Sequence, residues 1–258
     1  YTFGNKKYAY RVLMGDPLGS FYGYRYKGVY QNVEETYAVD KTGQQIMDIN
    51  GAPVVVKNGD QKVYPGDAKY EDVNGDGVID ENDIVYLGNS NPTLTGGLNF
   101  TLRYKKLSLV AALHGRAGQK VINESRINME NMYGKNNQSV AVLRRWRSEG
   151  DNTDIPRALY DKGYNYLGSD RFVEDASFLR LKTITLKYQF PENWMKPLGI
   201  NKLEIYATGY DLFVWTKYTG QDPEINLKNP DGSAAQVAID SNNTPKAMRF
   251  AFGLNLRF

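Results

Sequence analysis

The sequence has no cysteine and one histidine, His114. Without cysteine there is no disulfide framework, no thiol nucleophile and no thiolate metal site. A single histidine excludes His-rich metal clusters and makes any serine–histidine–carboxylate scheme depend on one residue. An excess of one charge is also missing. The 32 lysines and arginines face 29 aspartates and glutamates, and a net charge of +3 gives no argument for nucleic acid as a partner. No apolar run approaches the roughly 20 residues that a transmembrane helix needs. That excludes helical membrane proteins but says nothing against β-barrels, whose strands alternate and average out to polar. There is no phosphate-binding glycine loop and no carboxylate pair of definable geometry, so no enzyme reading emerges.

What is abundant is aromatic: 20 tyrosines and 10 phenylalanines in 258 residues. Such a load suits strands, barrel girdles and sugar-stacking surfaces alike. The chain begins at Tyr1 without a signal peptide, and is expected to be a piece of something longer.

The last ten residues, "RFAFGLNLRF", put Phe250, Phe252, Leu254, Leu256 and Phe258 on one parity and Arg249, Ala251, Gly253, Asn255 and Arg257 on the other. That is a strand with one apolar and one polar or small face. "GLNFTLRY" repeats it with Leu98, Phe100, Leu102 and Tyr104, and "KKLSLVAALHG" follows after a tight Lys105–Lys106 turn. "LKTITLKYQF" carries Ile184, Leu186, Tyr188 and Phe190 on one face, and "KLEIYATGYDL" carries Leu203, Ile205 and Ala207. "GSFYGYRYKGVY" aligns Tyr22, Tyr24, Tyr26 and Tyr30 as barrel wall, interfacial girdle or sugar platform, and "NKKYAYRV" is a weaker candidate. About seven strands are expected on these patterns. Leu179 and Leu181 fall on the wrong parity for Ile184 and Leu186, which predicts a bulge or a change of environment near Lys182.

Connections between these strands alternate strictly in length. The short ones are the Gly15–Asp16–Pro17 region, Lys105–Lys106 and Pro191 to Asn201; the long ones are near 31–95, 119–170 and 217–246. Outer-membrane barrels alternate in this way, with short periplasmic turns and long extracellular loops. With the long loops outside, Phe258 lies at the periplasmic rim. Seven strands do not close such a barrel, so the remainder must come from elsewhere in the protein.

Within the first long loop, "DVNGDGVIDEND" places side-chain oxygens at positions 1, 3, 5, 9 and 12: Asp72, Asn74, Asp76, Asp80 and Asp83. Gly77 stands at the sharp turn, and Val78 can offer its carbonyl at position 7. This is the spacing of an EF-hand-type calcium loop with Asp in place of the final Glu. The alternative is a chain of Asx turns on a solvated loop. In the second long loop, "INESRINMENMYG" and "SVAVLRRWRSEGD" read as short helices, and Arg144, Arg145 and Arg147 could form a ligand patch or a solvated face. His114 reads as an ordinary lumenal or packing residue.

Several stretches together resemble the C-terminal portion of SusC/RagA-type TonB-dependent outer-membrane transporters. They are "GDPLGSFYGYRYKGVYQ", "GDAKYEDVNGDGVIDENDIVYLGNSNPTLTGGLNF", "RRWRSEGDNTDIPRA", "ASFLRLKTITLKYQFP", "GYDLFVWTKYTGQDPE" and "FGLNLRF". The resemblance implies an all-β fold, part of a barrel of about 22 strands with a plugged lumen. It implies a location in the outer membrane of a Gram-negative bacterium, contact with its lipid, and a SusD-like lipoprotein lid. It implies TonB coupling through an N-terminal region, together with the upstream part of the same transporter. The cargo it implies is an oligosaccharide or a peptide, and Phe258 would be the assembly signal. A passive porin or a surface glycan-binding barrel is the alternative, with a soluble calcium- and carbohydrate-binding β module behind it.

Overall fold

The computed structural model describes residues 2–4, 6–7, 14–225, 227–228, 237–242 and 244–258. The alternating segments form one antiparallel sheet. Its strands are β1 (Leu94–Tyr104), β2 (Leu107–Ala117), β3 (Phe178–Gln189), β4 (Lys202–Thr216) and β5 (Arg249–Arg257), in that order across the sheet. Register carries the apolar parity from strand to strand. Leu102 faces Leu109, Leu109 faces Leu186, Leu186 faces Ala207, and Ala207 faces Phe252. Crossing a bilayer takes about 9–11 tilted residues, and these strands have 11, 11, 12, 15 and 9.

The parity fault in β3 is a bulge at Lys182. Ala112 faces Thr183 and Leu113 faces Leu181, which leaves Lys182 as the extra residue. On the other side Leu181 faces Phe213 and Thr183 faces Tyr210, so β4 sets two residues, Asp211 and Leu212, against the single Lys182, and Asp211 takes a left-handed φ of 51°. The two bulges bring Leu179 and Leu181 back onto the face of Leu186.

The chain divides into two compact units, and the sheet belongs to residues 91–119, 175–224 and 243–258. The other unit draws on residues 1–90, 120–174 and 225–242, and so on all three long connections. Lys120–Asn123 of the second connection lies between Val173–Asp175 and Val237–Asp240, the last contributed by the third connection. Ile122 pairs in parallel with Ile239. Phe21, Tyr24, Ile79, Ile122, Phe172 and Val237 are buried in one common core. The core pools apolar residues from all three connections, which enlarges the surface each can bury.

The tyrosine row departs from the barrel-wall expectation. It forms two short strands, Ser20–Gly23 against Val85–Asn89 and Tyr26–Val29 against Ala68–Tyr70, outside the five-stranded sheet. Tyr22, Tyr24 and Tyr30 are buried, which removes them as a sugar platform. Gly28, at φ 104°, marks the irregularity that breaks the row. A period of two identifies a strand with two unlike faces but not what covers each face. Five of the seven expected strands therefore share one sheet. In "NKKYAYRV", Lys6–Lys7 pairs with Thr2–Phe3, and the remainder lies outside the described residues. Of the two expected helices, "ESRINME" forms α1 (Glu124–Glu130), capped by Asn123, whereas Val140–Arg144 makes only a 3₁₀ turn.

Candidate functional site

One face of the sheet is apolar and uncovered. Leu98 and Leu102 are each 61% exposed and Phe252 80%, and Phe250, Leu254 and Leu256 are exposed with them. Ile184 is half-buried between its neighbours, and Leu186 is exposed. Strands about 4.8 Å apart and rising about 3.3 Å per residue make this face roughly 20 by 30 Å. That reaches or exceeds the few hundred square ångströms of apolar patch a soluble monomer ordinarily shows. Aromatics stand at its two ends: Tyr104 and Phe258 at the turn end, and at the other Phe213 stacked on Trp215 with centroids 6.1 Å apart. The opposite face is polar. Thr185 and Thr208 share a 2.9 Å hydrogen bond, and Asn255 donates to Glu204 at 3.2 Å. Tyr206 lies across Gly253, where any Cβ would come within 2.4 Å of its ring.

At the loop end of the polar face is a cluster that the strand patterns did not reveal. Arg180, 3% exposed, is hydrogen-bonded to Asp222, lies 3.3 Å from Glu224 through Nε and 4.0 Å from Asp211. Lys182 Nζ and Lys246 Nζ reach Glu224 at 2.9 and 2.5 Å. Burial pushes the Glu224 carboxyl up, but bonds and charge from Lys246 and Lys182 outweigh it and hold the group at about 2. The signal was present as "FLRLK", two cations inside an apolar strand, with "QDPE" as its acidic complement.

The Asp72–Asp83 loop has the turns its spacing predicts. Gly77 takes φ 81° and donates to Asp72 Oδ2 at 2.7 Å, while Gly75 donates to Oδ1 at 2.7 Å. Asp76 accepts from Val78 N, and Asp83, fully buried, accepts from Val73 N at 2.7 Å and Asp80 N at 2.8 Å. Among the described residues, no three acidic side chains are gathered as a ready cation cage. Yet among the described residues none of Asp72, Asp76, Asp80 and Asp83 forms an ion pair with a lysine or arginine. Burial, with the Asp72 charge added, pushes the Asp83 carboxyl up. The donors are hard oxygens of the type calcium takes, and in this structure they serve a chain of Asx turns, each carboxylate accepting from backbone N–H groups.

The other expected residues are spread out. His114 packs edge-on against Phe178 at 5.8 Å, as a packing residue does. Phe258 is exposed at the turn end. Arg144, Arg145 and Arg147 line one concavity. Among the loop aromatics, Tyr160 is exposed, Tyr133 meets Tyr166 edge-on at 5.5 Å, Trp146 packs on Gly66, and Tyr218 is buried.

An antiparallel sheet with an uncovered apolar face, a polar reverse and connections alternating short and long is built as the wall of an outer-membrane β-barrel is built. The chain is 32% identical over 253 residues to TonB-dependent receptor P26 of Formosa agariphila, covering 96% of the chain and 23% of that protein. It is 30% identical over 249 residues to receptor P3 of the same organism, covering 95% and 22%. To the TonB-dependent receptor SusC of Bacteroides thetaiotaomicron it is 29% identical, covering 83% and 19%. The resemblance to SusC/RagA-type TonB-dependent receptors thus holds along nearly the whole chain, which spans about a fifth to a quarter of the length of these relatives. In fold it is similar to the RagAB peptide importer in its "closed-closed" state, with a TM-score of 0.62 and 23% identity over 92% of this chain and 23% of that one. The RagAB peptide transporter gives 0.61 at 24% identity, covering 92% and 22%. No family profile matches the chain.

Proposed function

We propose that this chain is wall and loop structure of a TonB-dependent importer of a nutrient oligomer, an oligosaccharide or a peptide, in a Gram-negative outer membrane. The uncovered apolar face carries the reading, because lipid is the environment that makes Phe250, Phe252 and Leu254 favourable where they stand. About 22 strands, most of them from the rest of the protein, would close the barrel. A SusD-like lipoprotein would sit over the loops, with exposed Tyr160 and Tyr133 suited to an aromatic, wet interface. The test is uptake of labelled oligomer by cells carrying the full-length receptor. Uptake that stops when TonB is deleted supports the proposal, and uptake that continues supports a passive porin. Gentle solubilisation that brings down no lipoprotein would remove the lid and leave the barrel.

We infer also that the Asp72–Asp83 loop takes calcium as a structural ion, through Asp72, Asn74, Asp76, the Val78 carbonyl, Asp80 and Asp83. Its support is the oxygen spacing and the four carboxylates, which have no cationic partner among the described residues. The ion would stiffen the loop and take no part in chemistry. Extracellular sites of this kind bind at about 10⁻⁴ to 10⁻³ M. Protection of the loop from protease by millimolar calcium, lost in chelator, is the expected result; equal cleavage in both would refute it.

A further inference from the structure

The segment "VLRRWRSEGDNTD" carries three cations on an anchored frame. Trp146, between Arg145 and Arg147, donates its backbone N–H to the Ile155 carbonyl at 2.9 Å, and its ring fills the space that Gly66 leaves open. Arg145 Nη1 donates to the Val142 carbonyl at 3.3 Å and Arg147 Nη2 to the Leu143 carbonyl at 3.0 Å. Both guanidinium groups are thereby folded back onto the turn Val140–Arg144 rather than left to swing in solvent. The return limb is held in the same way: Asp151 Oδ2 accepts from Arg147 N at 2.8 Å and Ser148 N at 3.1 Å.

The result is a concavity of about 510 Å³, lined by Arg144, Arg145 and Arg147 together with Asp151, Asn152 and Thr153. Among the described residues, none of the three arginines forms an ion pair. A guanidinium has five donors in a planar fork. Two of these three have one donor engaged in the bonds above, and the fork matches a carboxylate or sulfate bidentately. The lining's two acids, Asp151 and Asp154, leave positive charge in excess.

We propose that this concavity is a substrate subsite for an anionic substituent, a uronate carboxylate or a sulfate ester, on an oligosaccharide. The proposal rests on the import reading and adds the substrate's chemical class. The rest of the lining favours a glycan over a peptide. Asn152 and Thr153 offer amide and hydroxyl partners for sugar hydroxyls, and Leu143 is the one large apolar side chain present, itself 61% exposed. A peptide would call for further pockets to take its side chains.

The test uses the full-length receptor in detergent and calorimetry with defined probes. These are a carrageenan oligosaccharide and its desulfated form, an oligogalacturonate and its carboxyl-reduced form, and an acidic hexapeptide. Binding of either anionic glycan with loss on removal of its charge is expected, and the two pairs tell sulfate from carboxylate. Replacing Arg144, Arg145 or Arg147 by Gln should weaken binding roughly tenfold each, with Lys variants recovering part of it. Surface abundance should be unchanged, because the side chains lie on a loop. Equal affinity for charged and neutral glycans, no binding of any glycan, preference for the peptide, or indifference to Arg→Gln would each overturn the subsite. Neutral-glycan binding with intact TonB-dependent uptake would leave the import reading standing. Loss of TonB dependence with the charge preference retained would sink import and spare the subsite.

Discussion

Leu98 stands fifth of the eleven residues of β1, with Leu113 across the strand pair, and Leu102 stands two residues from the turn. If the apolar face meets lipid, depth and not burial sets the cost of a charge at these positions. Leu98→Arg is expected to destabilise the barrel by about 2–4 kcal/mol, and Leu102→Arg by no more than about 1 kcal/mol near the interface. Thr101→Arg, on the reverse face beside Val110, should cost little. Unfolding of the three variants in lipid checks the gradient; equal costs for Leu98 and Thr101 would mean that the face does not meet lipid. At this scale the sequence was legible wherever parity was clean, because register carries one parity across all five strands. It was not legible at Tyr24 and Tyr30, where the same period of two serves a core built from distant segments.

The strands, the tight turn and the bulge at Lys182 could be read from alternation alone. The sharing of three loops in one unit could not. Its evidence is pairing such as Ile122 with Ile239, more than a hundred residues apart, and no local pattern encodes that. The Arg180 cluster was hidden for the same reason, since "FLRLK" and "QDPE" are ordinary when read apart. The cluster ties the chain after β4 to β3, and it carries a pH dependence. Glu224 is held at about 2 against an ordinary 4.5, so its contribution is complete above about pH 4.5 and is lost as pH falls toward 2. The difference is worth up to about 3 kcal/mol. Proteolysis of the 217–246 connection should therefore rise between pH 4.5 and 2. Glu224→Gln should be cleaved readily at neutral pH and show little further change on acidification. A wild-type profile flat across that window would mean that the cluster does not hold the connection.

For the whole molecule the decisive feature is the sheet's pair of edges. The order β1-β2-β3-β4-β5 leaves the outer sides of Leu94–Tyr104 and Arg249–Arg257 without a partner strand among the described residues. In hydrocarbon each unsatisfied backbone group costs roughly several kcal/mol, so a sheet of this kind persists in lipid only when other strands of the full protein cover both edges. On the import reading this strand would have two tasks at different times. It would pair along Arg249–Arg257 with a strand of the full protein, and before that pairing Phe258, which is 78% exposed, would serve as the assembly signal. Deleting Phe258 removes that signal and leaves the pairing residues intact. The expected outcome is a marked fall in surface abundance with near-normal uptake per assembled molecule. Pro at Phe252 takes away a ladder donor from an edge that must pair, and should lower both abundance and the heat resistance of what does assemble. Counting receptors by surface labelling beside uptake separates the two. Normal abundance without Phe258 would show that assembly reads some other feature of the strand, and a heat-stable Phe252→Pro barrel would show that this edge is not where the barrel closes.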